Sequence, residues 1–164
     1  MQRRSLLKLG LGGAVLLGLA GGIAAFWTPG LQGPKLTPAG RQAMGAVARA
    51  VLEGALPADE AALSRHLDEL EKLFAGLPPA VQAELEQLMG LIANGPGRLG
   101  LLGMAKPLHE QPLPALSAAL QSLRHSRLAL RQQVYFALRD LNCAAFYSQP
   151  SAWATMGYPG PREI

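Results

Sequence analysis

Apolar residues recur at three- and four-residue intervals along most of this chain, and five stretches carry the pattern far enough to be helices. The first opens at Thr37-Pro38, an N-cap followed by proline at the first helical position. It carries Met44, Val47, Ala48, Val51 and Leu52 to a stop near Gly54. Asp59 caps a second helix, with Leu63, Leu67, Leu70 and Phe74 on one face and Gly76 just past its end. Pro78-Pro79 starts a third, striped by Val81, Leu85, Leu88, Met89 and Ile92 and ended by Asn94-Gly95-Pro96-Gly97. The following RLGLLGMAKPLHEQPLP is apolar but broken by Gly and Pro, and reads as a short turn of helix and a loop. A fourth helix spans Pro114 to His125, and Ser126 is a natural cap for the fifth and longest, reaching about Tyr147. A short helix around 150–155 leads into Gly157-Tyr158-Pro159-Gly160-Pro161. No stretch alternates with period two, so no strand is expected. The predicted fold is all-α, an irregular bundle of about five helices with an ordered Pro- and Gly-rich C-terminal tail.

The N-terminal run differs from these helices. Arg3, Arg4 and Lys8 precede a stretch without charge that lasts until Lys35. A spanning helix needs about 20 mostly apolar residues, and Leu9 to Ala25 sits at the low edge of that range, diluted by six glycines. A charged start, a short apolar run and small residues at Gly22-Ile23-Ala24 follow the order of an export signal. Arg3-Arg4-Ser5-Leu6-Leu7-Lys8 resembles the twin-arginine motif, although Gln2 and Leu6 depart from its usual residues. The expected organisation is a signal over 1–25, a linker over 26–36 rich in Pro and Gly, and a helical domain over 37–164. Whether the signal is cut or kept as a membrane tether stays open.

Composition changes the picture in two ways. The chain of 164 residues has a formal net charge of +4, but three of its basic residues lie in the signal. The remainder is close to neutral, so the charge is no argument for nucleic acid. The single cysteine, Cys143, excludes an internal disulfide and a thiolate metal cluster.

Candidate chemistry is sparse. His66 lies near Asp68 and Glu69, His109 in a Pro-rich loop and His125 at a helix junction, and no pair has the spacing of a helical metal site. Arg124, Arg127, Arg131 and Arg139 form a basic stripe whose simplest reading is a solvated face. The glycines from Gly95 to Gly103 lack the strand and the Lys-Ser or Lys-Thr of a phosphate loop. No catalytic, cofactor-binding or metal-binding residue is expected. An independent periplasmic enzyme or ligand-binding domain using the His66 or His109 region is the alternative.

Aromatic residues concentrate at the other end: Tyr135, Phe136, Phe146, Tyr147, Trp153 and Tyr158, leaving Phe26, Trp27 and Phe74 elsewhere. On the fifth helix Leu130, Val134, Leu138, Leu141 and Ala145 form the expected inner stripe. Phe136, Arg139, Asp140, Cys143 and Tyr147 share a second face roughly opposite. A helix apolar on two sides is either central to a core or pinned between its core and something else, and the second is expected here.

The C-terminal forty residues resemble the signature of the gluconate 2-dehydrogenase subunit 3 family, at Ser126, Phe146-Tyr147, Pro150, Trp153 and Gly157-Tyr158-Pro159-Gly160-Pro161. These are small subunits of membrane-associated flavin dehydrogenases for sugars and alcohols. The resemblance implies a non-catalytic subunit that binds, stabilises and escorts a glucose–methanol–choline type dehydrogenase through the twin-arginine translocase to the periplasm. FAD would then belong to the catalytic partner, and a cytochrome c subunit would take the electrons in some complexes. Phe136, Cys143, Phe146, Tyr147, Trp153, Tyr158 and Pro159 are the expected partner interface, with Cys143 a candidate for an intersubunit disulfide.

Overall fold

The computed structural model describes residues 28–153 and 156–160. The expected signal over 1–25, with Arg3, Arg4 and Lys8, lies outside the described residues. The fold is all-α, with seven α-helices among the described residues and one two-stranded hairpin. They are α1 (Pro38–Val51), α2 (Glu60–Ala75), α3 (Pro79–Ala93), α4 (Gly95–Leu102), α5 (Leu113–Arg124), α6 (Ala129–Tyr147) and α7 (Pro150–Trp153). A 3-10 turn, Leu108–Glu110, separates α4 from α5. Among the described residues no helix is long and apolar enough to cross a membrane.

The helix starts follow local chemistry. Thr37 Oγ1 accepts from the Gly40 amide at 3.1 Å and donates to the Pro29 carbonyl at 2.7 Å. Asp59 accepts from the Ala62 amide at 2.7 Å, giving α2 its expected cap. The start of α6 is corrected by two residues. Leu128 is its N-cap, and Ser126 instead accepts from the Leu128 amide at 3.2 Å, shaping the turn rather than capping the helix.

Helix α1 sits at the centre, against α2, α3, α5, α6 and the 3-10 turn. Its small residues make that crowding feasible, since a Cβ on Gly45 would already lie 3.3 Å from Leu63. Met44, Val47, Leu70, Phe74, Met89, Ile92, Leu123 and Leu138 are all completely buried around it. A second, smaller cluster of Leu52, Phe146 and Ala152 closes the bundle where α6 meets α7.

Two expectations need correction. Residues 28–36 are no linker, and a strand does form: β1 (Leu31–Gln32) pairs antiparallel with β2 (Lys35–Leu36). Leu31 and Leu36 are buried in the main cluster, too short a pattern to register as alternation. Asn94 fastens the strap, its amide accepting from the Thr28 N–H at 3.0 Å and donating to the Thr28 carbonyl at 2.7 Å. The second correction is α4. Asn94 ends α3 as expected, yet a new helix begins at Gly95 with Pro96 in its first turn. Arg98 explains why the break is stable: it is buried and donates to the Ala93 carbonyl at 2.5 Å and the Ala105 carbonyl at 3.3 Å. A cation on the last carbonyls of a helix also meets the negative end of its dipole.

Candidate functional site

The aromatic end of the chain forms one surface. Along α6, Phe136, Asp140 and Tyr147 are exposed, with Arg139 and Cys143 half-buried between them. Phe136 is 42% exposed and Tyr147 39%, two part-exposed rings on one helix face. The Arg139 guanidinium lies over the Phe136 ring at 5.3 Å while its Nη2 pairs with Asp140 at 2.7 Å. Arg139 is thereby held along the helix, leaving the outer side of the Phe136 ring uncovered.

The tail extends this surface. Trp153 donates from its indole to the Tyr147 carbonyl at 3.1 Å, the last turn of α6, where carbonyls lack helical partners. The Tyr158 amide donates to the Trp153 carbonyl at 3.0 Å, and the two rings meet edge-on at 5.4 Å. Gly160 is required here. Its φ of 95° is open only to glycine, and a Cβ would lie 3.3 Å from the Trp153 ring. The tail therefore doubles back over Trp153 and presents Met156, Tyr158 (48% exposed) and Pro159 outward. Tyr147, Trp153 and Tyr158 are thus linked in one chain of contacts, with Pro159 exposed beside Tyr158.

Phe146 belongs elsewhere. It is buried against Leu52 and Ala152, so its ring is taken out of the expected interface and given to this chain's own packing. The cause is helical phase: position 146 falls beside Ala145 on the inner face, one residue short of Tyr147. Cys143 packs against the same small cluster, and burial pushes its thiol up from the ordinary value, with Asp140 adding to the shift and Arg139 opposing it. A raised thiol pKa lowers the thiolate fraction and slows disulfide exchange.

His66, one of the two histidines behind the alternative reading, lies inside the bundle beside a residue not singled out in the sequence, Asn142. His66 is 1% exposed, and its Nε2 lies 2.9 Å from Asn142 Oδ1. Asn142 donates to the Leu138 carbonyl at 2.7 Å and faces Met44 Sδ at 3.5 Å. Because the amide nitrogen is committed as donor, its oxygen accepts, so Nε2 carries a proton. Among the described residues Nδ1 has no hydrogen-bond partner, and the ring meets Phe146 edge-on at 6.2 Å. Burial lowers the His66 pKa, an effect the Asn142 bond only partly offsets. Asn142 was legible in principle: it lies four residues after Leu138 and eight after Val134, a polar residue in an apolar stripe.

His109 lines a cleft of about 470 Å³ between α1, α2 and the 3-10 turn, floored by Leu63 and Leu116. The arginines on its rim are occupied. Arg41 pairs with Asp68 and Glu71, both at 2.9 Å, and Arg49 with Glu60 at 2.7 Å. His66 and His109 thus lie in separate places, one inside the bundle and one on the cleft. Among the described residues no group of three His, Cys, Asp or Glu side chains is placed to hold a metal ion.

Compared with known proteins, the chain matches no family model, no curated protein and no solved structure.

Proposed function

We propose that this chain is a non-catalytic small subunit that binds, stabilises and escorts a flavin-dependent dehydrogenase of the glucose–methanol–choline type. The observation that carries the reading is the outward aromatic surface of Phe136, Tyr147, Met156 and Tyr158 on an anchored tail. Burying the exposed remainder of each such side chain gains about 1 kcal/mol, which a partner surface would supply. Tyr and Trp with neighbouring Arg are also the residue kinds that anchor interfaces. FAD resides in the partner, electrons pass to a cytochrome c subunit where one is present, and the twin-arginine translocase carries the folded pair to the periplasm. Arg3, Arg4 and Lys8 supply the address.

Cys143 is the candidate for a bridge to the catalytic subunit. With its thiol pKa raised, the bridge forms slowly and only after docking aligns the partner's cysteine. A non-reducing gel of the complex reads it directly: a band at the summed mass that reductant splits and Cys143→Ser removes. Free migration of the small subunit without reductant disproves the bridge.

The decisive experiment replaces Arg3 and Arg4 by Lys. The charge stays, the receptor-read pair is lost, and both this chain and the dehydrogenase activity remain in the cytoplasm. Activity that still reaches the periplasm overturns the escort role.

A further inference from the structure

Between Glu110 and Asp140 the chain contains no acidic residue. Arg124, His125, Arg127 and Arg131 cluster in this interval around the turn from α5 to α6, and none of them forms an ion pair among the described residues. Elsewhere on the bundle Arg41, Arg49 and Arg139 each hold a carboxylate and Arg98 holds backbone carbonyls, while Arg65 on α2 forms no ion pair among the described residues. At the apex of the turn stands Leu128, 64% exposed, more than any other large apolar side chain described.

The turn is built rather than loose. Ser126 Oγ accepts from the Leu128 amide at 3.2 Å, and Gln132 Nε2 donates to the Ser126 carbonyl at 2.8 Å. Arg124 reaches across from α5 to lie over the Tyr135 ring at 5.9 Å. Arg127, Arg131 and Tyr135 are successive positions four apart, so the basic groups line one edge of the α6 start. The first turn of α6 has no acidic residue and no side-chain cap, which leaves the positive end of the helix dipole uncompensated.

We propose that this turn docks on an anionic lipid surface, with Arg124, Arg127 and Arg131 against the phosphates and Leu128 entering the interfacial layer. Charge complementarity selects the occupant, and Leu128 selects lipid over an acidic protein face. An exposed leucine beside arginines finds cover in a fluid interface without a matching pocket; Arg127 is exposed next to it, while Arg124 over Tyr135 and half-buried Arg131 add their charge behind it. The aromatic surface proposed for the dehydrogenase adjoins this one through Tyr135, whose ring meets both Arg124 and Phe136, so the test below reads vesicle binding and dehydrogenase capture separately.

The test is co-sedimentation of the full chain with vesicles of phosphatidylcholine alone and vesicles containing phosphatidylglycerol. Each arginine near an anionic surface contributes roughly fivefold, so Arg124→Gln with Arg127→Gln and Arg131→Gln weakens binding on the order of a hundredfold. Raising salt produces the same trend, because exposed charges are screened. Leu128→Ser weakens it about tenfold. The N-terminal apolar segment is common to all these proteins, so the measured quantity is the difference from the parent. The corresponding triple Lys variant keeps the charge and keeps most of the binding. The proposal is overturned if the Gln variant sediments with anionic vesicles as the parent does, or if the Lys variant loses as much as the Gln variant. It is equally overturned if the Gln substitutions abolish capture of the dehydrogenase while vesicle binding is untouched, which would make an acidic protein face the occupant.

Discussion

Residues 28–36 and 150–160 are both short, rich in Pro and Gly, and attached to the ends of the helical bundle, yet they meet opposite fates. The first is swallowed. Leu31 is completely buried, Asn94 clamps Thr28 from both sides, and Gly30 sits where a Cβ would collide with the Met89 carbonyl. Among its described residues the second is fastened through Ala152 against Leu52 and Phe146 and through the Trp153 indole on the Tyr147 carbonyl, and leaves Met156 and Tyr158 outside. Composition does not separate them. A slot in the bundle does: α3 presents backbone and Met89 to a chain with no side chain at Gly30, whereas the surface of α6 is convex and offers the tail only a shelf.

The comparison is sharpest when each region is cut. Truncation after Gln149 removes Trp153, Tyr158 and the Ala152 contact, and is expected to abolish complex formation while the main cluster, which contains none of them, stays helical. Pull-down of the dehydrogenase and far-UV circular dichroism on the same sample measure both; wholesale loss of helicity would assign the tail to the core instead. Leu31→Ala should do the reverse, costing about 2–5 kcal/mol of stability for a buried leucine in a packed cluster. Urea unfolding reads that cost, and a change below half a kilocalorie would make residues 28–36 a linker after all.

Close approach gives the next effect. A Cβ at Gly40 would strike the Gly30 carbonyl, so Gly40→Ala is expected to cost about 1–3 kcal/mol although alanine is the better helix former. Tyr158→Ala sits at the far end of the scale for the isolated chain, since the ring is half exposed and meets Trp153 edge-on. Its thermal midpoint should barely move, while capture of the dehydrogenase falls by tenfold or more, the loss of an aromatic anchor.

The smallest effect is on pH. His66 is neutral in the fold with its pKa lowered by burial, so the unfolded chain binds the proton more readily. Stability is complete above the ordinary histidine range and falls as pH drops below about 6.5, until the folded pKa is passed. Unfolding free energy measured across that window should slope downward toward acid, and His66→Gln, which still donates to Asn142, should flatten the slope. An unchanged slope in His66→Gln would assign the acid sensitivity elsewhere.

How much was legible is clearest on α6. Val134, Leu138 and Ala145 are buried as their spacing requires, and Phe136 and Tyr147 are exposed on the second face. Phe146 was expected at the interface and Asn142 was not singled out, for one reason. Helical phase places both inside, but a ring beside the exposed Tyr147 and an amide among apolar neighbours carry no sign of the partner that receives them. Leu52 and Ala152 receive the first and His66 the second, and Leu52, His66 and Ala152 lie on three different elements or their ends.

By itself, the sequence determined what depends on local geometry. Apolar periodicity set the five long helices and the all-α class, while Thr37, Asp59 and the proline pairs set where several of them begin. Only the tertiary structure decided which apolar residues have company. Burial of Leu31, the neutral His66 beside Asn142 and the exposure of Leu128 each depend on what another part of the chain brings to that point. Contact between segments remote in sequence leaves no period to read, because the energy that places them is the area that two surfaces remove from water together.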